Sequence, residues 1–310
     1  MKTYAKNTSL LAAATAILDA EQPCTLRQLF YRLISAGHMD NTPAGYQRLG
    51  TLMVRAREEG IVSRRWIVDH VRDTLKPNSW SGLEDFSDTV SRAYRKNYWS
   101  NMSAYVCVFV EKDAIAGTIQ PVTYANDVAL HVCRGYSSVS FAGEIADQWA
   151  EIQKPIFAYY LGDHDPSGYD LERDLREKLQ RYSGRYVYDF EKYGHLGESD
   201  ISNAVMWKRL GVRPADFEEF KLIKLPVKES DNRAAAFIEK YGNAGAEIDA
   251  IPPSELRRRV ESAIDEHIDT EQWNALILVE DAERATVRTM LASLGKQSES
   301  SLNLDAGVAR

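Results

Sequence analysis

Two aspartates separated by one residue, Asp163 and Asp165, are the side chains in this sequence best suited to do chemistry. They follow an apolar run, residues 156–161, whose aromatic content and closing glycine indicate a buried strand. Because residues i and i+2 of an extended chain project to the same side, the two carboxylates are expected to converge. Convergent carboxylates are typical of a site for a hard cation such as Mg2+.

Two other interpretations of this stretch are open. Pro166 stands where a helix can begin, so Asp165 is also a candidate helix N-cap, and a cap needs no ligand. The residues from Asp163 to Asp174 also match several positions of a calcium-binding loop. Against calcium, a proline occupies the fourth position, an aspartate replaces the usual final glutamate, and a strand leads into the loop.

Length and composition indicate a soluble globular protein. The 310 residues, 44% hydrophobic and 27% charged, suffice for two domains. Three widely spaced cysteines fit a reducing compartment, so a cytoplasmic protein is expected. No run approaches the ~18 apolar residues of a membrane span. The net charge of -7 argues against indiscriminate coating of nucleic acid, yet residues 1–100 hold 14 basic against 10 acidic residues, so the basic surplus is N-terminal.

The first 75 residues have the pattern of a small DNA-binding domain. Helical spacing and cap residues predict helices at 8–20, 26–36 and 44–59. The segment 61–69, IVSRRWIVD, predicts a β-hairpin or wing. Three helices and a wing favour a winged-helix domain of the helix-turn-helix class.

A basic surface is expected on the third of these helices. Arg48, Thr51 and Arg55 share one stripe, opposite the apolar residues that pack inward. Arg64 and Arg65 extend the stripe onto the wing, where contacts to phosphates position a duplex without reading its sequence. The other interpretation is an ordinary solvated face.

Beyond residue 75 the sequence predicts a linker, a second domain and a tail. Residues 76–103 combine turn-forming and aromatic residues, which indicates a linker with a short helix. Residues 104–292 alternate apolar runs with helical patterns, which predicts an α/β domain with a mostly parallel sheet flanked by helices. Residues 293–310, rich in Ser and Asn, are expected to be disordered. The later elements predicted within the domain are a helix at 170–181, a strand at 220–225, and helices at 232–241 and 254–268.

Polar residues follow the first three apolar runs of this domain. Glu111 follows residues 105–110, Arg134 follows residues 128–133, and Asp163 follows the third run. Strand carboxyl ends are where open α/β sheets bind ligands, so these side chains are expected to lie close together. Glu111 with the aspartate pair would supply three carboxylates for one or two Mg2+ ions, a set that suits phosphoryl transfer.

These motifs resemble a known domain. The segments VEKDA, RGYSS and YLGDHDPSG, which contain Glu111, Arg134 and the pair Asp163 and Asp165, resemble the Toprim domain shared by topoisomerases, primases and certain nucleases. The DHDPSG variant is similar to that of the topoisomerase VI A subunit and its meiotic double-strand-break relatives. The resemblance covers roughly residues 20–270 and is greatest to the stand-alone A-subunit-like proteins of phages and other mobile elements.

That family places a winged-helix domain before Toprim and uses one of its tyrosines as the nucleophile. The stretch TLRQLFYRLI resembles the tyrosine motif: Tyr31 matches the nucleophile, Arg27 the motif arginine, and Phe30 the position of a second tyrosine. The segment GAEIDAI, with Glu247 and Asp249, is similar to an acidic segment that follows Toprim. From the residues alone, Tyr31 lies four positions after Arg27 and off the apolar stripe, so both are expected on an exposed face, where a guanidinium eases ionisation of the phenol.

The resemblance implies Mg2+-dependent DNA cleavage by transesterification, with a 5′-phosphotyrosine link to Tyr31 and Mg2+ held by Glu111, Asp163 and Asp165. It implies double-stranded DNA as the partner and a homodimer in which each tyrosine meets the other chain's metal site. Arg134 would be a phosphate or structural contact. The sequence has no Walker-type motif, so strand passage driven by ATP would need a separate B-type ATPase subunit.

Two rival functions use the same residues. In a Toprim nuclease, metal-activated water cuts DNA or RNA, and Tyr31 only packs. In a non-catalytic DNA-binding protein, the winged helix binds and Toprim is a scaffold. The intact set of Glu111, Asp163 and Asp165 argues against the second rival.

Overall fold

The protein is an α/β structure with a five-stranded, all-parallel sheet flanked by helices, as the sequence predicts. The structure is a computed structural model that describes residues 2–68, 77–194, 203–228 and 230–307, with side chains between 8 and 293. It divides into two compact units, residues 1–72 with 103–267, and residues 73–102 with 268–310. No helix in the described part is long and apolar enough to cross a membrane.

The strand order in the sheet is β2-β1-β3-β5-β4. Short 3-10 turns at Tyr98–Ser100 and Ile248–Ala250 supplement the regular elements. In chain order these elements are α1 (Lys2–Glu21), α2 (Leu26–Ser35), α3 (Pro43–Glu58), α4 (Leu83–Ala93), β1 (Tyr105–Val110), α5 (Asp113–Ala125), β2 (Ala129–Val132), α6 (Val139–Glu151), β3 (Ile156–Leu161), α7 (Pro166–Ser183), β4 (Tyr186–Asp189), α8 (Phe190–Tyr193), β5 (Ala204–Arg209), α9 (Asp216–Glu219), α10 (Ala234–Tyr241), α11 (Pro253–Asp265) and α12 (Thr270–Gly307).

The centre of the sheet is apolar and buried. Strand β1 pairs with both β2 and β3, and five of the six residues in each of β1 and β3 are buried. Phe109, Tyr160 and Trp207 pack in one core cluster and are almost wholly buried. Strands covered by helices on both faces have near-continuous apolar sequences, which is why these two strands could be recognised from the sequence.

The three N-terminal helices are present where the sequence predicts them, but the predicted wing is not a hairpin in the described residues. Residues 61–68 form turns and one parallel bridge between Ile67 and Cys24. The Cys24 amide donates to the Trp66 carbonyl and the Val68 amide donates to the Cys24 carbonyl, so these backbone groups are used without a second wing strand. Asp69 lies outside the described residues.

The strand predicted at residues 220–225 is wrong. This segment follows α9, and its amides are used locally: Phe220 donates to Asp216 and Leu222 to Phe217. Leu225 makes one isolated bridge. The fourth and fifth strands are instead β4 and β5, in a region to which the sequence pattern assigned no element.

The second unit pairs α4 with α12. Helix α4 lies within residues 76–103 and packs against α12, and the ring centroids of Tyr98 and Trp273 are 4.6 Å apart. Aromatic residues that indicated a linker are thus packing residues. The backbone remains helical through Gly307, because a helix once formed can extend through weak helix formers.

Candidate active site

Glu111 and Asp163 stand side by side at the carboxyl ends of β1 and β3. The parallel register pairs Val110 with Leu161, so the residues that follow the two strands are level. The backbone amide of Asp163 donates a hydrogen bond of 2.9 Å to Oε2 of Glu111. Two of the three carboxylates expected at this edge are therefore adjacent.

Two glycines allow this close approach. A Cβ on Gly162 would lie 2.7 Å from Oε2 of Glu111, and a Cβ on Gly168 would lie 2.6 Å from the carbonyl oxygen of Asp163. Both distances are too short for contact between carbon and oxygen. A side chain at either position would therefore displace the carboxylates.

Asp165 caps helix α7, as one interpretation of the sequence expected. Its Oδ1 accepts a hydrogen bond of 2.7 Å from the Gly168 amide. Its negative charge also raises the pKa of Glu111, so it acts electrostatically on the neighbouring carboxylate. Capping therefore does not exclude a role in cation binding. The order of strand, turn and helix here differs from the helix-loop-helix of a calcium loop.

The two adjacent carboxylates have raised pKa values. Burial, followed by the charge of Asp163, raises the pKa of Glu111 to about 7. Burial also raises the pKa of Asp163, and the charge of Lys112 opposes that rise. A bound cation would lower both values because it stabilises the charged forms.

Lys112 is a site residue that the sequence interpretation missed. Its ammonium lies 2.9 Å from Oδ1 of Asp163, 3.0 Å from Oδ2 of Asp249 and 3.8 Å from Oε2 of Glu247. Burial lowers the pKa of this lysine, but the charges of Asp249 and Asp163 outweigh burial and raise it overall. Lys112 therefore carries a stable positive charge. Its position directly after Glu111 is the sequence feature from which Lys112 could have been identified.

The segment from Glu247 to Asp249 connects the sheet edge to helix α2. The amide of Ile248 donates a hydrogen bond of 2.8 Å to Oδ1 of Asp163. On the other side, Glu247 accepts a hydrogen bond of 2.5 Å from Nη1 of Arg27. Asp249, which is fully buried, accepts a hydrogen bond of 3.4 Å from the Thr25 hydroxyl, the N-cap of α2. The acidic segment GAEIDAI, singled out in the sequence, thus contacts both the sheet edge and α2.

Tyr31 is buried, whereas the sequence interpretation expected it on an exposed face. The residue is 7% exposed, while the Arg27 side chain is 48% exposed. Helix α2 packs against α1, α3 and the turn at Ile248–Ala250, which leaves little of its surface open. The Tyr31 hydroxyl makes no hydrogen bond with the described residues, and it is not among the fully enclosed polar atoms, so it reaches solvent.

The pKa of Tyr31 is raised to about 12, first by burial and then by the charge of Glu247. The charges of Arg27 and Lys112 oppose this rise. The guanidinium thus acts in the expected direction but does not overcome burial. At neutral pH the phenol is therefore protonated.

The residues of the basic stripe predicted on α3 differ in exposure. Thr51 and Arg55 are exposed, and the Arg55 side chain is 75% exposed. Arg64 and Arg65 are exposed in the turns that follow α3, while Arg48 is half-buried. The role of this surface as a DNA contact stays a prediction.

Arg134 lies at the carboxyl end of β2 and is bound by a neighbouring acid. Its backbone φ is +53°, and its Nε donates hydrogen bonds of 2.9 Å to both carboxylate oxygens of Asp113 at the start of α5. The side chain is 72% exposed. These contacts fit a structural role for Arg134, which is one of the two roles expected for it.

Arg209, at the end of β5, supports Asp163 from the opposite side and was missed in the sequence. Its guanidinium donates to the Asp163 carbonyl oxygen and to Glu172, and it lies 4.1 Å from the centre of the Tyr169 ring. Glu172 also accepts a hydrogen bond of 2.8 Å from the Trp207 indole. The short apolar run that precedes Arg209 was the signal for its strand.

The donor set at this edge fits Mg2+ by its chemistry. Oε1 of Glu111 and Oδ2 of both Asp163 and Asp165 make no hydrogen bonds with described residues, and carboxylate oxygens are ligands that Mg2+ prefers. In the described part of the chain, no three acidic, histidine or cysteine side chains already form a group that could hold an ion. Asp163 is instead paired with the ammonium of Lys112.

Comparison with protein-family models and with curated proteins finds no match to this chain.

Proposed function

We propose that the protein cleaves DNA by Mg2+-dependent tyrosine transesterification, in the manner of the topoisomerase VI A subunit and its relatives. One observation carries this proposal: a continuous series of contacts joins the tyrosine helix to the carboxylates. Arg27 on α2 contacts Glu247, Glu247 lies beside Lys112, and Lys112 contacts Asp163. A packing tyrosine would not require this connection.

In the proposed reaction the Tyr31 oxygen forms a bond to a DNA phosphorus as the bond from that phosphorus to the 3′ oxygen breaks. The phenol loses its proton, and the departing 3′ oxygen gains one, so the exchange is balanced. The product is a 5′-phosphotyrosine link and a free 3′ hydroxyl. Arg27 is half-exposed beside the tyrosine and would hold the scissile phosphate.

Glu111, Asp163 and Asp165 would hold Mg2+ through their free oxygens. When bound, the ion supplies stabilisation of the negative charge that develops on the transferring phosphate. Glu111 must be deprotonated to serve as a ligand, and its pKa of about 7 places that step in the neutral range.

The N-terminal helices would act as a winged-helix-like DNA-binding domain. Arg48, Thr51 and Arg55 on α3, with Arg64 and Arg65 beyond it, would contact the duplex. All but the half-buried Arg48 are exposed, and they lie in a region with surplus positive charge. Arg134 would support the site through Asp113. The protein would work on DNA in the cytoplasm.

A homodimer completes the proposal, with each Tyr31 acting at the carboxylates of the other chain. The contacts of Arg27, Glu247 and Lys112 within one chain would then fix the position from which its Tyr31 reaches the partner. Two such sites on opposite strands produce a double-strand break. Coupling of the break to strand passage would need a separate ATPase subunit of the B type.

One observation favours the nuclease as a second candidate. Tyr31 is buried and its pKa is about 12, which makes it a weak nucleophile at neutral pH. In the nuclease, Glu111, Asp163 and Asp165 would hold the Mg2+ that activates the attacking water in place of the tyrosine. In that reaction the bond from water to phosphorus replaces one phosphodiester bond, and the ends are free.

Plasmid cleavage distinguishes the two candidates. Purified protein is incubated with supercoiled plasmid and Mg2+, and the products are run on gels with and without protease treatment. The transesterase gives ends that enter the gel normally only after protease, and both Tyr31→Phe and Asp163→Ala abolish them. A mixture of these two variants restores protein-linked nicks if the site is shared, because each mixed dimer contains one complete site.

Other results support the rivals. Free ends that persist in Tyr31→Phe and vanish in Asp163→Ala would establish the nuclease. DNA binding without cleavage in every condition would leave the non-catalytic binding protein.

A further inference from the structure

Lys112 has no part in the bond changes proposed above, yet it occupies the centre of the acidic site. One ammonium contacts Asp163 and Asp249 at 2.9 and 3.0 Å and lies 3.8 Å from Glu247. Bridging of several carboxylates by a compact positive charge is what the second ion does in sites with two metals about 3.5–4 Å apart.

The burial of these acids explains why they need such a charge. The Asp249 side chain is fully buried, and the Asp163 side chain is 12% exposed. A buried carboxylate without a partner charge is strongly disfavoured. Hydrogen bonds from Thr25 to Asp249 and from Ile248 to Asp163 are additional, but they come from neutral groups. Lys112 is the cation that contacts both acids in the described structure.

We propose that Lys112 is a positioning residue whose ammonium takes the place of a second Mg2+ ion, so that the site holds a single ion at Glu111, Asp163 and Asp165. This inference rests on the proposed function, since it presupposes Mg2+ at those carboxylates. The ammonium also fixes residues 247–249, and these residues hold the start of α2 through Arg27. The placement of Tyr31 therefore depends on Lys112.

Loss of the ammonium has opposite effects on metal binding and on cleavage. It frees carboxylate oxygens, so a second Mg2+ ion can bind. Mg2+ requires octahedral geometry and retains waters, so it does not reproduce the contacts of the ammonium, and α2 shifts. A displacement of this kind lowers the rate even while metal binding increases.

Calorimetric titration with Mg2+, together with plasmid cleavage, tests the inference on the full chain. We expect one ion per chain for the wild type and two for Lys112→Met, whose cleavage falls about tenfold or more through misplacement of α2. Lys112→Arg keeps the charge, binds one ion and retains more cleavage than Lys112→Met. Lys208→Met is the matched control, because Lys208 is equally exposed, at 25% against 26%, but its one ion pair among the described residues is with Glu266, away from the carboxylates of the site.

Two ions in the wild type, or one ion in Lys112→Met with unchanged affinity and cleavage, would overturn the inference and leave the proposed function standing. If neither the wild type nor any variant binds Mg2+, the inference and the proposed function both fail. Should Lys112→Met not fold by circular dichroism, Lys112→Gln, which keeps hydrogen-bond donors without the charge, is measured in its place. Two ions per chain in Lys112→Gln would support the inference, and one ion with unchanged affinity and cleavage would overturn it.

Discussion

The two halves of the proposed site are held in different ways. The carboxylates follow β1 and β3, whose residues are buried in the centre of a parallel sheet. Helix α2 is instead held by side chains: the Thr25 hydroxyl donates to Asp249, Arg27 donates to Glu247, and Oε1 of Gln28 accepts from the Thr118 hydroxyl on α5.

Because of this difference, substitutions in the two halves should affect stability and activity differently. A change beneath the carboxylates must disturb backbone that the whole sheet shares, so it costs folding free energy as well as activity. A change at the contact between Arg27 and Glu247 removes a partly exposed polar bond, which contributes little to stability, and it alters the position of Tyr31. The α2 half, which holds Tyr31, is therefore the adjustable half of the proposed site.

The largest effect on stability and cleavage is expected from a substitution at Gly211, which contacts the backbone just before Asp163. A Cβ at Gly211 would lie 2.4 Å from the carbonyl oxygen and 2.6 Å from the nitrogen of Gly162. Gly211→Ala should therefore lower the free energy of unfolding by about 2–4 kcal/mol and abolish cleavage. Chemical denaturation measures the first effect, and the plasmid assay measures the second.

Gly143→Ala is the matched control for that substitution. Gly143 lies within α6, and its added Cβ would meet nothing within 4 Å. Alanine there should leave stability unchanged or raise it by up to about 1 kcal/mol. Equal stability of the two alanine variants would show that the contact between the two glycines does not constrain the sheet edge.

A change of pH is expected to have an intermediate effect on stability, through the carboxylates at the same edge of the sheet. The folded-state pKa of Glu111 is raised from 4.5 to about 7, so between these values the folded protein binds more protons than the unfolded chain. Its unfolding free energy should therefore fall as pH rises from 4.5 to 7, by roughly 1–3 kcal/mol, in the absence of Mg2+.

Glu111→Gln removes this titration. The variant should be more stable than the wild type at pH 8, and it should show a smaller decline between pH 5 and 8 in denaturation with chelator present. If both proteins have the same pH profile, the Glu111 carboxyl is not held in a buried, repulsive environment.

The smallest effect on stability is expected on the α2 half. Arg27→Gln breaks the contact with Glu247, and because Arg27 is half-exposed the loss should be at most about 1 kcal/mol. Its control, Arg258→Gln, breaks a pair with Glu255 that is similarly exposed at the surface. Protein-linked cleavage should fall in the Arg27 variant alone. Equal cleavage in both variants would contradict a role for Arg27 in the site.

The apolar runs and the residues that end them were sufficient to predict the centre of the fold. Strands β1 and β3, the adjacency of Glu111 and Asp163, and the cap at Asp165 follow from local pattern and from the geometry of parallel strands. These features depend on short stretches of sequence, which is why the sequence was informative about them.

Contacts between distant residues account for what the sequence could not show. Ile248 bonds to Asp163 across 85 residues, and Arg27 bonds to Glu247 across 220. The segment from Glu247 to Asp249 accounts for both the central position of Lys112 and the burial of Tyr31. Strand β5 ends in charged residues, so its short apolar run did not stand out against the more apolar segment 220–225.

The most direct test of the central claim is to identify the atom that becomes linked to DNA. Wild-type protein is reacted with a DNA duplex and Mg2+, the DNA is trimmed with nucleases, the protein is digested with protease, and the peptides are analysed by mass spectrometry. Tyrosine transesterification predicts a nucleotide attached through its 5′ phosphate to Tyr31, and no such adduct in Asp163→Ala. Cleaved DNA without any nucleotide on a Tyr31 peptide would contradict it.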